Sequence, residues 1–162
     1  MLKDKIKTRE EIAKICEELR RNGKKIVTTN GAFDILHSGH LTSLEKAKSF
    51  GDVLIVGLNS DASVRKYKSE LRPIINEENR AKMLAGLSVV DYVIIFDEDN
   101  PINLLSVIRP NVYVKSRKAY LGIEGPTVEK FGGKVELVED VEGISTSEII
   151  GKILRMRDEK KS

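Results

Sequence analysis

The stretch Lys25-Ile26-Val27-Thr28-Thr29-Asn30-Gly31-Ala32-Phe33-Asp34-Ile35-Leu36-His37-Ser38-Gly39-His40 decides the fold. Residues 25–29 form an apolar, β-branched run of the kind that fits a pleated sheet. A glycine-containing loop follows. Residues 41–50 then read as a helix, with Leu41, Leu44 and Ala47 on one face and Gly51 as its stop. Strand, glycine-containing loop and helix start are the elements whose free N–H groups and helix dipole converge on an anion. Both histidines of the chain lie in this loop, three residues apart.

Working outward, the same alternation repeats. Residues 8–22 carry a helical stripe of Ile12, Ile15, Cys16 and Leu19, with Thr8 as N-cap and Glu11 three residues on, and Gly23 ends it. Residues 53–58 are almost continuously apolar, the pattern of a strand covered on both faces of a parallel sheet. A short polar helix from Asp61 to about Lys68, a loop through Pro73 and a helix over residues 77–89 come next. Residues 92–96, 112–114 and 134–138 read as further strands. Between them fall a helix begun by Asn100-Pro101, with proline at the first helical position, and another before Gly132-Gly133. Residues 145–157 close the chain as a helix. Strands alternating with helices predict an α/β fold, a single doubly wound parallel sheet of about five strands with an N-terminal helix. The expected organisation is a helical extension over residues 1–24 packed on the domain, the α/β domain itself over 25–157 and a charged tail over 158–162.

Composition narrows the function classes. The 162 residues suit one domain, and 28 basic against 25 acidic residues leave a net charge of only +3, too little to argue for nucleic acid. A single cysteine excludes a disulfide framework and a thiolate metal cluster. Residues 1–5 lack the apolar segment of a signal peptide, and no run approaches the ~20 apolar residues of a membrane span. A cytoplasmic protein with no membrane partner is expected.

In a doubly wound sheet, ligands bind beyond the carboxyl ends of the strands, where strand order reverses. Just after the first strand, Gly31 and Ala32 have minimal side chains and let a phosphate approach the backbone. His37 and His40, one helical turn apart, can donate to phosphate oxygens whose charge grows in a transition state. A lone histidine is ordinarily a half-buried residue with a hydrogen bond; two in this loop point to chemistry. Zinc would need a third protein ligand, and none accompanies them. Glu142-Gly143-Ile144-Ser145-Thr146-Ser147 precedes the last helix, where hydroxyls beside free N–H groups suit phosphate, although a plain N-cap also explains Ser145 or Thr146. Lys68 and Arg80 are candidate cationic donors to a triphosphate, and each alone also reads as a surface charge.

The segment from Gly31 to His40 resembles the G-x-F-D-x-x-H-x-G-H signature of the cytidylyltransferase-like nucleotidyltransferases. Leu58-Asn59-Ser60-Asp61, Arg72-Pro73-Ile74, Asn79-Arg80, Val114-Lys115 and Glu142-Gly143-Ile144-Ser145-Thr146 are similar to the branch that adenylylates heptose 1-phosphate in ADP-heptose synthesis. The resemblance implies transfer of a nucleotidyl group from ATP or CTP to a phosphorylated sugar or polyol, with Mg²⁺ accompanying the nucleotide and no resident metal. It assigns His37, His40 and Lys68 to the transition state. Thr29, Asn30, Gly31, Ala32 and Phe33 would bind the nucleotide, the last three presenting backbone to phosphate; Asn59, Asp61 and Arg80 would line the nucleotide side, and Ser145 and Thr146 the β- and γ-phosphates. Asp34, Lys115, Arg117 and Lys118 would face the acceptor, and a homodimer is possible by family likeness.

One departure stands out. After the fourth strand the branch carries a Lys-Gly-Gly-Asp-Tyr-like segment, where this chain has Lys115-Ser116-Arg117-Lys118-Ala119-Tyr120. The acid is missing and two positive charges stand in its place. A more anionic acceptor, a cytidylyltransferase acting on a polyol phosphate such as glycerol 3-phosphate, or a nucleotide-binding module without turnover are the alternatives this leaves open.

Overall fold

The computed structural model describes residues 2–159. A 3-10 turn over Leu2–Lys5 leads into α1 (Arg9–Arg21), β1 (Ile26–Gly31) and α2 (Ser38–Lys48). There follow β2 (Val53–Asn59), α3 (Asp61–Tyr67), α4 (Glu77–Ala85) and β3 (Tyr92–Phe96). The chain continues through α5 (Ile102–Ile108), β4 (Val112–Ser116), α6 (Gly125–Lys130), β5 (Lys134–Val138) and α7 (Thr146–Glu159). The five strands pair in the order β3-β2-β1-β4-β5, every pair parallel. Strand order therefore reverses between β1 and β4.

Period-two alternation sorts the core onto the two faces of this sheet. In β2, Leu54, Val56 and Leu58 meet Leu44 and Ala47 of α2 and Leu84 of α4 on one face. Ile55, between them in sequence, turns the other way and joins Ile12 and Cys16 of α1 with Leu104 and Ile108 of α5. All of these side chains are essentially inaccessible to solvent. A sheet covered on both faces is what a near-continuous apolar strand requires. α1 starts as its sequence dictates: the Thr8 hydroxyl accepts from the Glu11 N–H while the Glu11 carboxylate accepts from the Thr8 N–H.

Several element boundaries differ from the sequence-based expectation. β1 runs on to Gly31 and β4 to Ser116, each two residues past its expected end. α2 begins at Ser38 rather than Leu41, so His37 takes the N-cap position. α4 stops at Ala85, before Gly86, although apolar residues continue to Val89. Pro101 lies just outside α5, whose first N–H donates to the Asn100 side chain. α7 continues through Glu159, so Asp158 and Glu159 of the expected tail are helical, and residues 160–162 lie outside the described residues.

Candidate functional site

A cleft of about 600 Å³ opens over the carboxyl ends of the strands at the β1/β4 reversal, within the range of roughly 300–1,000 Å³ typical of small-molecule sites. Thr29, Asn30, Gly31, Ala32 and Phe33 line it. Phe33 adopts the left-handed conformation (φ 46°), rare for a bulky residue and a mark of a constrained loop. Gly31 makes this possible: a Cβ there would sit 3.2 Å from the Phe33 ring. That ring in turn rests 5.3 Å from the His40 ring.

His40 lines the cleft, and His37 stacks on it with ring centroids 3.8 Å apart and planes 25° from parallel. Neither Nδ1 has a hydrogen-bond partner. Burial pushes the His40 pKa down to about 4, aided by repulsion from His37 and Lys68. Burial also lowers that of His37, against a smaller opposite pull from Glu148. Two neutral imidazoles thus wait in a site whose neighbours are cationic.

The start of α7 meets this loop directly. The Thr146 hydroxyl donates to the Ile35 carbonyl at 3.4 Å, and Thr146 lines the cleft. Gly39 lets the two elements close: a Cβ there would lie 3.0 Å from the His37 ring and 3.2 Å from Ile144. Ser145 caps α7 by accepting from the Glu148 N–H at 3.1 Å. Glu142, Gly143 and Ser147 are exposed and do not line the cleft.

On the β2 flank, Lys68 and Arg72 reach the cleft. Partial desolvation at the cleft mouth, then repulsion from Arg72, lower the Lys68 pKa even though much of the side chain is exposed. Arg72 donates through Nε to Asp34 at 2.7 Å, while its buried Nη2 has no partner. Asp34 does not face the cleft as a free acid. Its carboxylate also accepts from the Ile74 and Ile75 N–H groups and so straps the loop after α3 to the loop after β1. Burial works against its ionisation, but those N–H donors and Arg72 outweigh it and hold its pKa below the usual range.

Several expected ligand contacts are committed elsewhere. Arg80 is 1% exposed, and its guanidinium donates to the carbonyls of Ile75, Ala32 and Asn59 and to the Asp61 carboxylate. It is an internal strut, and Asp61 is its counter-charge. Asn59 does line the cleft, its amide donating to Ser63. Arg117 pairs with Glu139 at 2.8 Å and Lys118 with Asp140 at 3.9 Å, both on the surface. Lys115, by contrast, lies in the cleft floor and donates to the Asn30 carbonyl and side-chain oxygen at 2.9 and 3.1 Å. Burial pushes its pKa down to about 8, although Glu124 nearby pulls the other way.

Arg72 and Glu124 are among the cleft residues that escaped the sequence reading. Arg72 stood inside a recognised motif, Arg72-Pro73-Ile74, without a role. Glu124 carried no signal at all, being one acid in an irregular loop.

A doubly wound parallel sheet with its cleft at the switch point, an imidazole-bearing loop after β1 and the last helix closing on that loop define a Rossmann-like α/β protein. The chain belongs to the cytidylyltransferase-like family, whose model it matches over residues 28–152. It is 53% identical over 158 residues to the bifunctional protein HldE of Geobacter metallireducens, and 51% identical over 144 residues to that of Helicobacter pylori. These alignments cover 96% and 89% of this chain, but 32% and 31% of the relatives, so the chain spans about a third of their length. Among solved structures, the lipopolysaccharide core biosynthesis protein of Thermoplasma volcanium is similar, with a TM-score of 0.63 and 28% identity over 74% of this chain and 98% of that one. The pantoate-beta-alanine ligase of Francisella tularensis, at 16% identity, shares the fold (TM-score 0.60, 89% of this chain and 74% of that one).

Proposed function

We propose that this chain moves a nucleoside monophosphate from ATP to a sugar phosphate, heptose 1-phosphate by its branch resemblance, releasing pyrophosphate. The observation that carries this is the stacked His37–His40 pair held against the start of α7, with Lys68 and Arg72 on the adjoining flank. An acceptor phosphate oxygen attacks the α-phosphorus in line, the bond to the bridging oxygen breaks, and pyrophosphate leaves with the electron pair. The acceptor monoester is already nucleophilic, so the site needs position and charge stabilisation rather than a strong base.

His40 donates to the oxygens on which charge accumulates, and His37 stacks behind it as a positioning group and second donor. Lys68 and the unpaired Nη2 of Arg72 neutralise phosphate on the β2 flank. Thr146 and the free N–H groups of α7 take the leaving polyphosphate. Mg²⁺ supplies charge neutralisation when bound with the nucleotide. Such a cation is held mostly by phosphate oxygens and water. CTP is the second candidate donor, on the Glu-Gly-Ile-Ser-Thr wording shared with cytidylyl enzymes. Because Arg117 and Lys118 are paired with Glu139 and Asp140, they do not argue for a more anionic acceptor. Among the described residues no helix is long and apolar enough to cross a membrane.

The test is pyrophosphate release from ATP or CTP mixed with a panel of phosphorylated sugars and polyols. Release with ATP and heptose 1-phosphate is expected. In that pair His40→Ala should lower turnover on the order of 100-fold, as for a lost oxyanion donor. A loss below tenfold would remove the histidine from the mechanism, and nucleotide binding without turnover across the panel would overturn the transferase reading.

A further inference from the structure

One buried side chain of the cleft is unused by that chemistry. Glu124 is 1% exposed and lines the cleft, and its Oε2 meets no hydrogen-bond donor. A buried acceptor left unpaired costs stability, so native proteins seldom keep one without a use. Local structure does not need it: Glu124 occupies the N-cap position of α6 but makes no capping bond. Nor do its neighbours satisfy it. Tyr113 gives its only hydroxyl proton to Asn30 Oδ1 at 2.6 Å, and Lys115 gives two of its protons to Asn30.

Its place in the sheet says what it could meet. Lys68 and Arg72 arrive on the β2 flank and collect phosphate, with the imidazoles between; Glu124 arrives after β4, across the switch point. A carboxyl group repels phosphate, so the part of the ligand that reaches it is uncharged and brings an O–H or N–H. Of the groups that a nucleotide and a sugar phosphate share, sugar hydroxyls fit. We infer that Glu124 is a specificity-determining residue whose free oxygen accepts a hydrogen bond from a sugar hydroxyl in the cleft, either the ribose of the nucleotide or the acceptor sugar. This rests on the transferase proposal above.

The experiment uses the full chain and the variants Glu124→Gln and Glu124→Leu. In these variants one KM should rise tenfold or more while kcat changes less. If the ribose is the partner, the wild type binds ATP about tenfold more tightly than 2′-deoxy-ATP or 3′-deoxy-ATP, Glu124→Leu abolishes that preference, and Glu124→Gln, which keeps a neutral acceptor oxygen, weakens it. If the acceptor is the partner, ATP binding is unaltered and the acceptor KM carries the change. Both KM values staying within twofold in both variants overturns the inference and leaves the transferase standing. So does a lowered melting temperature without a KM change, because it makes Glu124 structural. A wild type that releases no pyrophosphate with any pair removes the transferase reading and this inference together.

Discussion

At the scale of the residue, the histidine pair shows how environment converts a side chain into a ligand-responsive group. In the unfolded chain an imidazole takes up its proton near pH 6.5; folded, His40 does so only near pH 4, because burial, His37 and then Lys68 oppose the charge. Between those values the unfolded state holds more protons, so stability rises with pH across the window. The contribution is fully present above about pH 6.5 and is lost as pH falls towards 4. A urea midpoint measured from pH 7 to 4 should fall accordingly, and His40→Gln should flatten that fall. Polyphosphate reverses the balance by favouring the charged form. Nucleotide binding near pH 6 should therefore take up protons, seen as a binding enthalpy that varies with the ionisation enthalpy of the buffer. Buffer-independent enthalpies would show that the imidazoles do not meet the phosphates.

At the scale of the element, Arg80 explains how α4 holds the site together without touching it. Its guanidinium ties α4 to the loop carbonyl of Ala32, to the end of β2 at Asn59 and to Asp61 of α3. Removing one partner of a buried, fully bonded charge costs about 3–5 kcal/mol, so Arg80→Met should lower the melting temperature on the order of 10 °C. Arg80→Lys should rescue little, since an ammonium cannot reproduce the planar fork. Well below the transition, nucleotide affinity in Arg80→Lys should change only a few-fold; a loss of a hundredfold would instead place this arginine on the ligand. Sequence alone read Arg80 as a donor because a charge motif says nothing of burial. The alternation of strands and helices, by contrast, was legible almost residue by residue: β3 and β5 fall where the apolar runs do. So was the approach of α7 to the histidine loop, which follows from parallel topology. The early start of α2 was not, because Gly39 is a poor helix former and the loop leading into it is held at the Ile35 carbonyl by Thr146, 111 residues away in sequence. The pairing of Arg117 and Lys118 with the acids after β5 was hidden for the same reason.

At the scale of the whole molecule, Cys16 offers a way to ask how tightly the helical cover of the sheet is coupled to the cleft. The ligand cleft lies over the carboxyl ends of the strands, whereas Cys16 lies on one face of the sheet among Ile12, Ile26, Ile94 and Leu104, wholly inaccessible. Burial also pushes its thiol pKa up to about 11, and only the thiolate reacts readily. Modification therefore requires opening. α1 is fastened at both ends: the Lys7 N–H donates to the Val93 carbonyl at 2.9 Å, Arg9 pairs with Glu98 at 2.7 Å, and Arg20 donates to the Ile108 carbonyl at 2.8 Å. Peeling α1 away would strip apolar cover from β1 and β3 together, so exposure of Cys16 should demand global unfolding. In the regime where reclosing outpaces modification, the labelling rate then reports the unfolded population. Nucleotide bound only by the native state lowers that population, and at a hundred times its Kd should slow Cys16 labelling about a hundredfold. A labelling rate indifferent to nucleotide would mean that α1 opens as its own unit, with the sheet and the cleft intact behind it.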